Sequence, residues 1–287
     1  MRYKKDLKTD LSRLYSLRLI TGTYEDLALS KMKQIRRDVL STRDFLDGVA
    51  RIYFEAKAAY FEHLALVGDK KRREAELALV KRNGKTVVVL ISGNQGLLGN
   101  VVFQSYKVYR DVASRMHCDK VILGDIGRYL AESEKPIFDF NFFAMDDYRL
   151  SDQSLGPVVR YISSYERILV VYPSFVSVLR QVPQIDDISG SSKVDQVAPR
   201  TKKFLFEPSA YDVLKFFEGQ IIGTFFKEKM LDSMLARFSA RTTLMDEAGQ
   251  KIDILLKNSR RQEIKNKRKQ ENNKMLSMFA GMSLWEK

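Results

Sequence analysis

The last 79 residues, Ser209 to Lys287, follow Pro208 and contain no further proline. All six prolines (Pro136, Pro157, Pro173, Pro183, Pro199 and Pro208) fall between positions 136 and 208, so neither end of the chain carries the residue that breaks helix interiors. Within the C-terminal stretch Leu231, Phe238, Met245 and Ile252 recur every seven residues, and Met234, Ala248 and Leu255 sit three places after three of them. That is an a/d seam, interrupted only by Arg241. Such a seam requires a partner helix along its length, because an exposed apolar stripe is unfavourable in water. A single helix over this stretch would run on the order of 100 Å, longer than a compact domain of this size is wide.

The N-terminal segment supplies a partner. From Leu7, the positions Leu11, Leu14, Tyr24, Ala28, Met32, Ile35, Val39, Leu46, Val49, Tyr53, Ala56, Tyr60 and Leu64 follow mostly helical spacing, which predicts a second long helix ending near Gly68. Gly22 and Gly48 weaken it locally, each by about 1 kcal/mol relative to alanine. Two such helices, one at each end of the chain, pair most simply antiparallel with each other.

Between them the pattern changes. Thr86–Ile91 (TVVVLI) is a short β-branched run without alternation, as expected of a strand covered on both faces of a parallel sheet. Val101–Met116 reads as a helix, Lys120–Leu123 as a strand, Asp125–Glu134 as a short helix, Asp146–Ser163 as another helix and Arg167–Tyr172 as a second buried strand. Strand and helix in alternation predict an α/β domain. Pro183–Arg200, polar and bounded by prolines, reads as a mobile loop. The expected fold is therefore α/β plus coiled coil: long antiparallel N- and C-terminal helices (1–68 and 208–287) with an inserted Rossmann-like α/β domain (69–207).

Composition narrows the function classes. A net charge of +13 points to an acidic partner, whether nucleic acid, anionic membrane surface or acidic protein face. The single cysteine, Cys118, excludes an intrachain disulfide, and two histidines, His63 and His117, offer little for a zinc site. A reducing, cytosol-facing compartment follows. The longest apolar run, Ile168–Leu179, is interrupted by Pro173 and Ser174 and is shorter than the roughly 20 residues of a membrane span. The first residues lead into no apolar signal core, so no secretory or transit segment is expected.

Three stretches could carry chemistry. Ser92–Asn100 (SGNQGLLGN) lies between strand and helix, where a dinucleotide loop would sit, but Gly93, Gly96 and Gly99 fit neither G-x-G-x-x-G nor a phosphate loop. A tight, closely packed turn is the better reading. Asp139, Asp146 and Asp147 form a carboxylate cluster with no histidine at ligand spacing, and Asp146 and Asp147 are placed to start a helix. No nucleophile, base and acid stand together, so no catalytic residue, metal or cofactor is expected. Lys257–Lys274 carries eight Lys or Arg against Glu263 and Glu271, and the seam stops there, at Ser259, Gln262, Asn266 and Lys269. It is either a solvated helix end, a basic tip for an acidic protein, or a nucleic-acid contact. The absence of interleaved aromatics before Phe279 and Trp285 weakens the last. Met275–Trp285 then turns apolar again, as a segment seated in a partner would.

Five local motifs lie in order along the chain. Ile20-Thr21, with Leu27-Ala28 and Lys31, resembles K-I-T-x-A-M-x-x-V-A-x-x-K. Gln95–Gly99 (QGLLG) resembles R-G-L-C-G, Leu169–Phe175 (LVVYPSF) resembles V-Y-N-x-F, and Phe204–Ser209 (FLFEPS) resembles Y-x-F-E-P-S. Arg241, Met245 and Ala248, then Asn258, Arg261 and Gln262, resemble R-M-x-A-M-x-x-A and N-x-x-R-Q. Together, around this proline distribution, they resemble the γ subunit of F-type ATP synthases, the central rotor stalk. Departures are Leu19 for lysine, Tyr24 for methionine, Leu98 for cysteine, Ala236-Arg237 for Ser-Glu, and Lys265–Glu271 (KNKRKQE) for an acidic I-T-x-E-I-x-E-I, with Arg268 where an acid is usual.

The resemblance implies a subunit that performs no bond chemistry and passes torque between a proton-driven membrane c-ring and a catalytic αβ hexamer. It implies head contacts at Ile20, Thr21, Tyr24, Arg261 and Gln262, and c-ring contacts at Phe204, Phe206 and Glu207. The basic tip of Lys257, Arg260, Lys265, Lys267, Arg268 and Lys269 would face acidic loops of β. The implied partners are the α, β and ε subunits and the c-ring, without nucleic acid or a membrane span, at the cytoplasmic face of a bacterial plasma membrane. The competing readings are a rotor of a related ATPase working in hydrolysis, a basic coiled-coil adaptor on nucleic acid, and a nucleotide-dependent α/β enzyme.

Overall fold

The computed structural model describes residues 2–65, 83–134, 139–189, 207 and 209–283. It opens with helix α1 (Arg2–Ala65) and closes with helix α5 (Ala210–Ser283), of 64 and 74 residues. Between them lie β1 (Thr86–Ile91), α2 (Val101–Arg115), β2 (Asp119–Leu123), α3 (Asp125–Ser133), β3 (Asn141–Phe143), α4 (Asp152–Ile162), β4 (Arg167–Phe175) and β5 (Gln181–Asp187). The expected α/β insert between two terminal helices is what the chain forms. Contacts divide it into two units: Met1–Leu27 with Thr242–Lys287, and Ala28–Arg241.

In the larger unit the five strands lie in the order β3-β2-β1-β4-β5, parallel except for β5, which runs antiparallel to β4. β1 is central and sealed on both sides. Val87, Val89 and Ile91 pack on Leu155, Val158 and Ile162 of α4 and on Ile222, Phe226 and Met230 of α5. Val88 and Leu90 pack on Tyr106 and Tyr109 of α2 and Ala131 of α3. Coverage on both faces is why this strand shows no polar alternation. On the outer side of α5, Leu231, Met234, Leu235 and Phe238 meet Ala28, Ile35 and Val39 of α1. Arg43 bonds Glu228 at 3.3 Å.

The smaller unit is a pair of helix ends. Tyr15 meets Arg260 and Arg18 meets Asp253, a later residue of α1 facing an earlier one of α5, so the pair is antiparallel. Leu11 and Thr21 of α1 and Met245, Gly249 and Leu256 of α5 are buried. In the smaller unit the α1 residues 11, 14, 18, 21 and 25 are buried or half-buried, and in the larger unit so are 28, 32, 35, 39, 42, 46 and 49, each set in steps of three and four. This is the spacing of a helix that keeps one seam against a partner. Polar Arg18, Thr21, Glu25 and Thr42 share that seam with the aliphatic residues.

Several expectations need correction. Tyr24 is exposed rather than on the seam. Leu255 is 52% exposed and Leu256 takes its place, because a straight helix drifts off a seven-residue repeat. The helix expected over Asp146–Ser163 begins at Asp152, capped by Ser151, whose hydroxyl and Ser154 form a reciprocal capping pair. Asp146 and Asp147 cap nothing there. Asp146 closes a turn by accepting from the Tyr148 and Arg149 amides, and Asp147 is buried. The stretch read as a mobile loop from Pro183 begins inside β5. Pro183 pairs opposite Pro173, so neither proline withdraws a donor from the β4–β5 ladder and the missing N–H of Pro183 falls on the free edge. The rest of that stretch, from 190, and the expected helix end near Gly68 lie outside the described residues.

Candidate functional site

Strand order reverses beside β1, with β2 and β3 to one side and β4 and β5 to the other. In doubly wound sheets this reversal opens a crevice at the carboxyl ends of the strands, where ligands bind. Here residues of the same chain occupy it. The turn after β1 presents the backbone amides of Asn94 and Gln95 to one oxygen of Asp147, Oδ2, at 2.8 and 2.9 Å. The other oxygen is ion-paired with Arg237 of α5, and both side chains are under a tenth exposed. Burial lowers the proton affinity of the Arg237 guanidinium, and the Asp147 carboxylate opposes that fall.

Glycine makes room for this pair. A Cβ on Gly93 would sit 2.6 Å from Nη1 of Arg237. One turn along α5, Arg241 donates to the Gly96 carbonyl at 3.1 Å and to the Tyr148 hydroxyl at 3.4 Å, and that hydroxyl donates to Gln95 at 2.6 Å. Arg241, which interrupts the sequence seam, is thus buried to hold the turn. Asn94 ties the turn to its neighbours, donating to the Met145 carbonyl and accepting from the Asp125 amide. On the β4 side, Asp232 of α5 accepts from Ser174 Oγ at 2.9 Å and from the Phe175 amide at 3.4 Å. Ser239 donates to the Val178 carbonyl at 2.9 Å. The tight, close-packed turn expected at Ser92–Asn100 is present. Among the described residues no group of His, Cys, Asp and Glu could hold a metal ion.

A second set of residues faces solvent on the smaller unit. Leu19, Ile20 and Tyr24 of α1 and Ile254, Leu255 and Ile264 of α5 are exposed large apolar side chains, as are Met275, Leu276, Met278 and Phe279. Where exposed apolar side chains adjoin in one large patch, they mark a surface that meets another protein. The basic residues Lys257, Lys265, Lys267, Arg268 and Lys269 are exposed on α5, as is Arg261. Arg260 is different in that it donates to the Tyr15 hydroxyl at 2.7 Å and lies 5.2 Å from that ring's centre.

The residues expected at contact positions separate accordingly. Ile20 and Tyr24 are exposed on α1, whereas Thr21 is buried and donates to the Arg18 carbonyl at 3.0 Å. Arg261 and Gln262 are exposed on α5. Glu207 is exposed, and Phe204 and Phe206 lie outside the described residues. Arg237, Asp147, Asp232 and Arg18 are not legible as partners in the sequence, although a charged residue on an otherwise apolar helix face signals the first.

These features define a class: one unit is an antiparallel pair of helix ends with exposed apolar and basic side chains, and the other is an α/β unit whose ligand crevice is filled from within. The family model for ATP synthase matches residues 4–273, and the chain belongs to that family. It is similar to ATP synthase gamma chains of Roseiflexus castenholzii (22% identity, 85% of each chain), Opitutus terrae (23%, 88% of each) and Ruminococcus albus (22%, 91% of this chain and 93% of the relative). Within the family it is a gamma-type subunit and is not itself catalytic. The fold is that of the central stalk in a Tetrahymena thermophila mitochondrial ATP synthase structure of stalk and c-ring, with TM-score 0.58, 15% identity, and 80% of this chain and 99% of that one covered. A chain of a Euglena gracilis mitochondrial ATP synthase structure matches with TM-score 0.50 and 14% identity over 88% and 94%. Among the described residues no helix is long and apolar enough to cross a membrane.

Proposed function

We propose that this stalk subunit transmits torque between a proton-driven membrane c-ring and a catalytic αβ hexamer, and that its smaller unit turns inside the hexamer. The observation that carries this is the run of exposed apolar side chains on paired helix ends, flanked by the basic stretch Lys257–Lys274. A rotor must contact the three catalytic subunits unequally, because a shaft that touched all alike could shift none of them. One face of α1 carries Leu19, Ile20 and Tyr24, another the polar Arg18–Asp253 bridge, so the surface is asymmetric. Ile20, Thr21, Tyr24, Arg261 and Gln262 are assigned to the head, with Thr21 acting from inside the helix pair. Phe204, Phe206 and Glu207 are assigned to the c-ring, and the α/β insert to the ε subunit. The divisions 1–68, 69–207 and 208–287 then serve as shaft, foot and shaft. The complex would sit at the cytoplasmic face of a bacterial plasma membrane. If each exposed charge pair contributes about 0.5 kcal/mol, the contact holds yet can be broken at every step.

The test is Arg261→Glu in the assembled complex, with ATP hydrolysis and proton pumping measured together. Hydrolysis that continues while pumping falls supports the assignment, and pumping at the wild-type level removes it. Binding to purified αβ hexamer and to duplex DNA across a salt series separates the remaining reading. A steep log-log salt slope for DNA with no hexamer binding identifies a nucleic-acid adaptor.

A further inference from the structure

We infer that the crevice at the sheet reversal is an anion site whose permanent ligand is the chain's own Asp147 carboxylate, locked in place by Arg237 of α5. Two backbone amides converging on one oxygen, from Asn94 and Gln95 in a turn after a central strand, make a nest of the kind that holds a phosphate oxygen in related sheets. Strand order puts that nest beside the point where a diffusible ligand would enter. The opposite wall is α5, which brings a guanidinium that could serve a phosphate equally well. Both anion-binding elements, amide nest and guanidinium, are spent on Asp147. Gly93 leaves the space for Arg237, and a side chain there would collide with it at 2.6 Å.

The consequence is a joint rather than a pocket. Asp147 precedes α4, the nest follows β1 and Arg237 belongs to α5, so one carboxylate ties three segments of the larger unit. Arg237 and Asp147 are positioning residues that keep α5 seated in the crevice. This reading stands on the geometry of the larger unit alone and does not depend on torque transmission.

Chemical rescue tests it. Asp147→Ala in the full chain removes the ligand and leaves the nest and Arg237 facing a small vacancy. The melting temperature should fall by about 10 °C. Sodium formate at high concentration should restore at least half of that fall, while sodium chloride at equal ionic strength should not. Asp147→Asn, which fills the vacancy with a neutral group, should be destabilised and gain nothing from formate over chloride. Equal responses of Asp147→Ala to the two salts overturn the proposal. If Asp147→Ala does not fold in chloride, recovery of its helical circular dichroism by formate takes the place of the melting temperature. Recovery with formate alone supports the site, and no difference between the salts overturns it.

Discussion

Arg18 of α1 holds Asp253 of α5 with a forked bond, its Nε donating to both carboxylate oxygens at 3.0 and 3.1 Å, while the guanidinium lies over Gly249. Arg18 occupies a position in the α1 seam where an aliphatic residue would be usual, and the glycine opposite is what admits it. Both side chains are substantially exposed, so the bridge adds little to stability. Its effect is to fix register, since a slip of either helix would put the guanidinium against a bulkier residue.

Gly249→Ala measures that fit. A Cβ there would sit 3.1 Å from Arg18 Nη1 and 3.3 Å from Cζ, close enough that the arginine must move. In an Arg18→Ala background the substitution should stabilise by about 1 kcal/mol, the ordinary gain of alanine over glycine in a helix. In the wild-type background the gain should be smaller by the worth of the bridge, about 0.5 kcal/mol. Urea unfolding of the four chains followed by circular dichroism checks this, and identical gains would show that Arg18 does not rest on Gly249.

The turns around the crevice differ sharply in what they tolerate. Gly124 has φ +93°, and a Cβ there would lie 2.7 Å from Ser92 Oγ and 2.9 Å from the Gly93 amide nitrogen. Gly124→Ala should therefore cost about 2–4 kcal/mol through strain and displacement of the neighbouring turn. Gly96 has open space where its Cβ would be. Gly96→Ala should change stability by no more than about 0.5 kcal/mol, although Gly96 lies within the Ser92–Asn100 turn itself. Melting temperatures of the two variants, compared directly, test the distinction.

Two carboxylates on the β4–β5 side should answer pH in opposite senses. Burial pushes the Asp232 carboxyl above its ordinary range, against the pull of the Ser174 hydroxyl, the Phe175 amide, Lys229 and Arg43. Burial acts the same way on Asp186, but there the Lys229 ammonium, with Tyr172 and Gln184, outweighs it and the carboxyl is held below its usual range. For Asp232 the stabilising contribution is complete below the unfolded value of about 3.9 and is lost as pH rises through the folded one. For Asp186 it is present above about 3.9 and lost as pH falls through the folded value. Asp232→Asn should match or exceed wild type at neutral pH and lose that advantage in acid. Asp186→Asn should be less stable by about 2 kcal/mol at neutral pH, because Lys229 loses its 2.7 Å carboxylate partner and is left with the longer bond to Glu228 at 3.4 Å, and should converge on wild type in acid. Melting curves from about pH 3 to 8 decide it. A neutral-pH order with Asp186→Asn above Asp232→Asn would reverse both assignments.

What the sequence disclosed follows from how local each signal is. Thr86–Ile91 and the helix from Val101 could be bounded to within a residue, because covered strands and amphipathic helices write their environment into neighbouring positions. β5 was misread since proline and acidic residues dominate it, and only its pairing with β4 makes Pro183 harmless. β3 has three residues, too few for any pattern. Asp147 illustrates the limit. Its neighbours support a capping role, while its actual partner, Arg237, is 90 positions away. Of the contact positions, Ile20, Tyr24, Arg261 and Gln262 came from motif resemblance and are exposed on the helices, whereas Thr21, drawn from the same motif, is buried.

The far end of α5 offers the most direct test of the proposed fit in a catalytic head. Met275, Leu276, Met278 and Phe279 are each more than half exposed, so deleting Met275–Lys287 removes apolar surface that contributes little to the chain's own core. The truncated chain should melt within about 2 °C of the full one. Were these side chains enclosed by the αβ hexamer, each partly exposed residue would contribute about 1 kcal/mol of burial, offset by the ordering of flexible methionines. The dissociation constant should then rise roughly 10- to 100-fold, equivalent to about 1.4–2.7 kcal/mol. Titration of both chains with hexamer, read by fluorescence anisotropy of a label on the half-buried Cys118, gives the ratio directly once labelling is shown to leave wild-type stability and affinity intact. Equal affinities would mean that the apolar end is idle in the head and that the basic stretch before it carries the contact alone.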